Sequence, residues 1–553
     1  MNLVAKSLRY WHTLRHLKPV QFYGRLWIKL YRPQLAATPV TLPLRGRQGR
    51  WQQPAAREPS MVGPCSFRFL NHAHQLPSND GWNDAALEKL WLYNLHYFDD
   101  LNAAGASNRT AWHLVLMQRW VAENPPAIGN GWEPYPTSLR IVNWVKWALS
   151  GNALPEPCAR SLVLQARWLH KRLEWHLLGN HLFANAKALV FVGLFFEGPE
   201  AQQWLTTGLR IIARELPEQV LSDGGNFERS PMYHAIFLED LLDLVNAANV
   251  WTGQVDAALA ESWRNVAGSM LVWLQGMAHP DGKIALFNDA AFGVAPTTQE
   301  LTAYARRLAL SANPADEGHG GPCFLTHWPS SGYIRLENAD AVALLDVAPV
   351  GPAYLPGHAH ADTLSFELSV SGQRVVVNGG TSRYGLGPLR LRERETAAHS
   401  TVEVAKQSSS EVWGGFRVAR RASPFDLQIQ DDAERMNIAC SHDGYVRLAG
   451  QPVHRRAWTM MARSLLVTDT VVGGRHTAVA RYILHPQISI VAAGPNTWEL
   501  ALPDGRSLNT EVLCGEAYLE PAHYAPEFGI VLPTQSLTVN LLAGKAQVEW
   551  SWS

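Results

Sequence analysis

The chain has 553 residues, more than one ordinary core accommodates, so two or three domains are expected. Lys plus Arg and Asp plus Glu number 48 each, and the lack of a basic excess argues against a nucleic-acid binder. The five cysteines, Cys65, Cys158, Cys323, Cys440 and Cys514, show neither metal-ligand nor disulfide spacing, which favours a reducing compartment.

Residues 1–82 form a basic helical start followed by a Pro-rich connection. The opening "MNLVAKSLRYWHTLRHLKPVQFYGRLWIKLYRP" lacks the continuous apolar run and small-residue cleavage site of a secretory signal. No segment is long and apolar enough to span a bilayer. A cytoplasmic location is therefore expected, with the periplasm as the alternative. Basic and aromatic residues recur at helical spacing in this opening. One reading is a peripheral membrane contact; the other is a helix laid against its own protein.

Residues 83–323 read as a helical domain, with Leu, Ala and Trp at three- and four-residue spacing. Of the 22 tryptophans, 16 precede residue 280. Most fit helix packing, and a few could line a cleft that receives sugar rings. In "SPMYHAIFLEDLLDLVNAANVW", Ser230 is a good N-cap, Pro231 suits the first helical position, and Phe237, Leu241, Leu244 and Ala248 form one stripe. A second helix, "NHLFANAKALVFVGLFFEG", is expected to close at Gly198.

After "SANPADEGHGGPC" the period changes, and residues 324–553 read as an antiparallel β-sandwich. Leu364, Phe366, Leu368 and Val370 alternate with Ser365, Glu367 and Ser369. "SGQ" then turns the chain into Val375 and Val377, which predicts a hairpin.

Four stretches carry candidate chemistry. In "GWEPYPTSLRIVNWVKW", Arg140 could hold a carboxylate through its planar fork, with Asn143 and Tyr135 beside it; a salt bridge is the plain alternative. In "LGNHLFANAKAL", Asn180 and His181 open a helix, as a cap and a solvated imidazole if nothing more. In "LSDGGNFERSPMYHAIFLED", Tyr233 and His234 fall in the first helical turn, where the dipole would favour phenolate; a core tyrosine is the alternative. "GHAHADTLSFEL" places His358, His360 and Asp362 ahead of a strand. His399 could meet His360 across neighbouring strands, and a metal would need a third ligand from Asp362, Asn378 or elsewhere.

Together, "WLYNLHYFDDL", "GWEPYPTSLRIVNW", "GNHLFANAKAL", "DGGNFERSPMYH", "DGKIALFNDA", "GHAHADTLSFEL" and "ERETAAHSTV" resemble the heparinase II/III-like family of polysaccharide lyases, which includes some alginate lyases. The resemblance implies an incomplete (α/α) toroid followed by antiparallel β-sheet layers, with the active cleft between them. It implies β-elimination at a uronic acid, with no cofactor in the chemistry. Asn180 would bind the carboxylate beside His181. Tyr233 would be base, acid toward O4, or both, and His358 the second proton-transfer group. Arg140, Asn143, Tyr135 and His234 would contact substrate. In some relatives, histidines matching His360 and His399 hold a structural divalent metal such as zinc or calcium, but Asn378 replaces the acidic ligand here.

The expected partner is an acidic polysaccharide, a bacterial capsule, exopolysaccharide or O-antigen, and the balanced charge argues against very heavy sulfation. Two other readings compete. One is a toroid glycoside hydrolase using two carboxylates from among Asp223, Glu228 and Asp289. The other is a non-catalytic glycan-binding or assembly protein.

Overall fold

The structure is a computed structural model that describes residues 3–35, 41–77, 81–310, 323–432 and 435–552. Two helices open the chain, α1 (Leu3–Leu14) and α2 (Pro19–Leu30), separated where Pro19 can only begin a helix. The helical domain follows with α3 (Lys89–Tyr97), α4 (Thr110–Glu123), α5 (Pro134–Leu149), α6 (Glu156–Lys171), α7 (Gly179–Phe195), α8 (Pro199–Gln219), α9 (Pro231–Val250), α10 (Ala257–Gly276) and α11 (Thr298–Arg307). Helix α7 is apolar nearly all round and buried along its length, as a helix enclosed by others must be. It packs against α5 and α9 in an inner layer and against α6 and α8 outside, the incomplete (α/α) toroid arrangement.

Helix α9 begins as its sequence predicts: the Ser230 side chain accepts from the Tyr233 N–H, and Pro231 is the first helical residue. Gly198 does not close α7. It lies at φ +112° directly before Pro199 and caps the start of α8. The Pro-rich connection also holds a three-stranded antiparallel sheet (Met61–Gly63, Ser66–Phe69, His72–Gln75) that the composition concealed. Phe67 and Phe69 point to one face of this sheet, and Phe69 packs edge-on against Trp91 at 5.2 Å. Most of the residues between α11 and the first strand of the β-domain, 311–322, lie outside the described ones.

The second half is built on two antiparallel sheets of nine and eight strands, with a separate two-stranded ribbon, Val412–Trp413 paired with Arg417–Val418. Leu336, Phe366 and Val376 of one sheet pack against Trp458, Leu465 and Trp550 of the other, which makes a sandwich core. The expected hairpin pairs Phe366–Val370 with Gln373–Val377. Its polar side does not face water. Glu367 Oε2 lies 2.9 Å from His279 Nε2, Glu367 Oε1 accepts from the Leu286 N–H, and Ser369 Oγ lies 2.7 Å from His279 Nδ1. The outer face of this sheet is therefore the surface on which the helical domain sits. Trp273, Phe287, Tyr333 and Leu344 complete the contact with a small apolar cluster. This docking brings the start of α9 beside the loop that carries His358.

Candidate active site

The turn before α9 is held by Asp223. Its carboxylate accepts from the Gly225 N–H and from both the N–H and the hydroxyl of Ser331. The turn delivers Tyr233, half-buried, to the domain boundary. There the Tyr233 ring faces the His358 imidazole with centroids 3.9 Å apart, and its hydroxyl lies 2.9 Å from that of Tyr384. Gly179, at φ +54°, starts α7 close by. A Cβ there would stand 2.4 Å from Leu355 Cδ2, so glycine allows the His358 loop to approach α7.

Asp289 is the hub beneath. It is fully buried and accepts two bonds from Arg390, the Nη2 bond at 2.7 Å. His358 Nδ1 lies 2.9 Å from its Oδ2, and His360 Nε2 lies 2.8 Å from its Oδ1. Burial alone would raise the Asp289 carboxyl, but the Arg390 guanidinium and the two imidazoles outweigh it and hold the group well below the ordinary value. An ionised Asp289 accepts only, so we assign the proton of His358 to Nδ1 and leave the Nε2 lone pair facing the cleft. Glu228 Oε2 lies 3.5 Å from that nitrogen and has no hydrogen bond within the described residues. Burial raises the Glu228 carboxyl, against the pull of His358 and His181.

Asn180 and His181 flank this arrangement. The Asn180 N–H reaches the Glu228 carboxylate, while its side chain makes no hydrogen bond among the described residues. His181 Nδ1 lies 3.2 Å from Glu174 Oε1, and its ring lies 4.5 Å from that of Tyr135. Burial opposes the charged imidazole, but Glu174 and Glu228 outweigh it and raise the His181 pKa. The site thus combines two imidazoles, one of them held toward its charged form by Glu174, with a free amide and a phenol.

The expected tilt of Tyr233 toward phenolate is not found. Burial, then Tyr384 and Asp289, push the phenol well above its ordinary value, overriding the helix dipole, so the resting group is a proton donor. Arg140 is not in the cleft. It is fully buried, 3.7 Å over the Trp120 ring, and donates to Gln165 Oε1 and the His96 carbonyl. His234 also turns inward, stacked on Trp273, with Nε2 2.8 Å from the Met270 carbonyl. The Asn143 amide is engaged by the Tyr97 carbonyl and Asp99, at the wall of a pocket that Tyr135 also lines. The rings against His358 are Tyr233, Tyr384 and Phe416, so tryptophan does not line this spot; most of the early tryptophans are buried helix packing.

His360 Nδ1 and His399 Nε2 lie 3.3 Å apart, as two ligands of one ion would. The residues around them do not complete a metal centre. Among the described residues no three His, Cys, Asp or Glu side chains are arranged to hold an ion. The Asn378 amide is taken up, donating to Ser365 Oγ and accepting from the Ser400 N–H. Burial keeps both imidazoles below their ordinary pKa, and a neutral chain from His399 through His360 to Asp289 satisfies the facing nitrogens. Neither Arg390 nor Tyr384 was evident in the sequence. The available signal was that a His-x-His pair needs an acid behind it and that acid, once buried, needs a cation.

Two family models match the chain: Heparinase II/III N-terminus over residues 111–310 and Heparinase II/III-like, C-terminal over residues 325–552. A heparin-sulfate lyase of Pedobacter heparinus is 26% identical over 245 residues, 42% of this chain and 36% of that protein. FtsZ-localized protein C of Caulobacter vibrioides is 25% identical over 382 residues, 67% of this chain and 63% of that protein. The aligned stretches therefore span less than two thirds of either relative. Among solved structures, a mutant of the heparan sulfate lyase HepC of Pedobacter heparinus matches with a TM-score of 0.60 at 17% identity, over 96% of this chain and 87% of that one, a likeness of fold.

Proposed function

Because the chain belongs to the heparinase II/III-like family, we propose that its cleft cleaves an acidic, uronate-containing polysaccharide by β-elimination. The observation that carries this is the facing pair of a neutral phenol, Tyr233, and an imidazole, His358, whose tautomer Asp289 sets. The uronate C5 proton lies α to a carboxylate and is barely acidic. Its removal needs the carboxylate charge screened and a base held near C5. His181 and the free Asn180 amide supply the first need, and the His358 Nε2 lone pair supplies the second. The C5–H electron pair becomes the C4–C5 double bond, the C4–O4 bond breaks, and the Tyr233 hydroxyl protonates O4. No water is consumed. The imidazolium and phenolate left behind regain their resting forms by net transfer of one proton from His358 to Tyr233 before the next turnover. Glu228, 3.5 Å from Nε2, faces the positive charge that forms on His358.

We take the glycan to be a bacterial capsule, exopolysaccharide or O-antigen with little sulfate. Three cations around the pocket beyond Tyr135 are already neutralised: Arg57 by Glu239, Lys187 by Asp240 and Asp243, and Lys146 by Asp243. A heavily sulfated chain would have to compete with those carboxylates. The hydrolase reading is disfavoured by the same geometry. Asp289 is saturated by Arg390 and two imidazoles and Asp223 is spent on Ser331, so Glu228 has no free carboxylate partner among them.

The test is a panel of uronate polysaccharides assayed for the ultraviolet absorbance of an unsaturated uronate, run in parallel in ¹⁸O-water. Absorbing product without ¹⁸O supports the lyase. Non-absorbing product that carries ¹⁸O would establish hydrolysis instead. Binding without turnover on any glycan would favour the non-catalytic reading.

A further inference from the structure

The first 33 residues carry seven Lys or Arg and no Asp or Glu. Within this stretch lie α1 and α2, each attached by a narrow side. Trp413 Nε1 donates to Thr13 Oγ1, and the Trp413 ring packs edge-on against Tyr10 at 5.1 Å. Gly24 of α2 rests on His176, and Arg172 donates to the carbonyls of Ile28 and Tyr31. The opposite sides are uncovered. On α1, Val4, Leu8 and Trp11 share one face at four- and three-residue spacing; on α2, Phe22, Tyr23, Leu26, Trp27 and Leu30 do the same. Trp11 is 63% exposed, Trp27 62% and Leu30 72%, values that a helix packed into its own protein would not leave. Arg25 and Lys29 flank the α2 face, both exposed.

We propose that α1 and α2 dock the protein on an anionic phospholipid surface. Exposed Trp, Tyr and Leu flanked by Lys and Arg, with no acidic residue between, is the chemistry that lies in a membrane interface: rings at headgroup depth, cations against phosphate. A protein partner would not require the complete exclusion of carboxylates. Beside α2, the exposed Tyr23, Leu26 and Trp27 share an open groove of about 860 Å³ with Trp175 and Leu178, in which Lys18 and Arg214 are paired with Glu218 and Glu215. Among the described residues no helix is long and apolar enough to cross the bilayer, so the contact is peripheral. The pair also touches both rims of the cleft. Gln21 donates to the carbonyl of Tyr354, four residues before His358, and Trp413 lies three residues before Phe416, whose ring is 6.0 Å from that of His358. Lipid docking would therefore hold the cleft beside the membrane surface.

The test is flotation of the full chain with vesicles of phosphatidylcholine alone or mixed with phosphatidylglycerol, and it is independent of any turnover. At low salt the wild type should partition at least tenfold more onto the mixed vesicles. Arg25→Glu with Lys29→Glu, and separately Trp11→Ser with Trp27→Ser, should each lower that partitioning tenfold or more with the melting temperature unchanged. A wild-type chain that does not float with anionic vesicles overturns the proposal, as do variants that float like wild type. A dimer in light scattering that the Trp11 and Trp27 variant dissolves, without vesicle binding, would assign the face to a second copy and overturn it too.

Discussion

The ring of Tyr233, from the first turn of α9, lies 3.9 Å centroid to centroid from that of His358, from the β-domain. The contact joins two domains, so neither residue is positioned by its own element alone. Tyr233→Phe should keep the ring in place and lose only the hydroxyl bond to Tyr384, about 1 kcal/mol. Turnover should fall roughly 100-fold or more, the scale for losing a positioned proton donor. His358→Ala should also lower it, and the double variant should lose less than the product of the two. A Phe variant that melts like wild type and turns over at the wild-type rate would remove Tyr233 from the mechanism.

Asp289→Asn should act twice. The amide can donate as well as accept, so His358 loses its fixed tautomer and turnover should fall by up to about 10⁴-fold, the scale of amidating an orienting acid. Arg390 is left as a buried, unpaired cation, at a cost of about 3–5 kcal/mol. The pH dependence has a definite sign. The Asp289 carboxyl is held well below its ordinary value, so its stabilising contribution is present above about pH 4 and is lost as pH falls further. The melting temperature of wild type should drop more steeply in that acidic range than that of the Asn variant.

His181 is kept toward its charged form by Glu174. Its raised pKa preserves the imidazolium to higher pH than a free histidine would, and deprotonation should weaken uronate binding. KM should therefore rise with pH, and Glu174→Gln should move that rise to lower pH while changing kcat less. Steady-state kinetics across neutral pH read this directly. Identical KM profiles would place the carboxylate elsewhere.

Arg140→Ala separates the cleft reading from the core reading. It leaves Gln165 and the His96 carbonyl short of a donor and opens a cavity beside Trp120, so chemical denaturation should show a loss of about 2–4 kcal/mol. KM per folded molecule should not move. A raised KM with unchanged stability would return this arginine to the substrate.

Dialysis against a chelator should leave both the melting temperature and turnover unchanged, because the facing nitrogens of His360 and His399 are satisfied by each other and by Asp289. Elemental analysis with one bound metal per chain, lost together with stability, would show that these imidazoles hold an ion after all.

Much of this molecule is local and was legible as such. The start of α9 at Ser230 and Pro231 and the hairpin around "SGQ" follow from capping and from side-chain periods that a few neighbours determine. The order of motifs likewise places Asn180, His181, Tyr233 and His358 in one family pattern. What the sequence could not decide was which side chains meet. Arg140 has the composition of a substrate clamp, yet it is buried against Trp120, because α5 turns that face toward the toroid core. Glu367 and Ser369 alternate as though one side of their strand met water, yet the helical domain covers it through His279. Asp289, Arg390 and His358 lie about thirty to a hundred positions apart, and only the docking of sheet on toroid makes them one network. Periodicity is carried by adjacent residues, whereas burial and the identity of a charge's partner depend on surfaces that exist only after the two domains have packed.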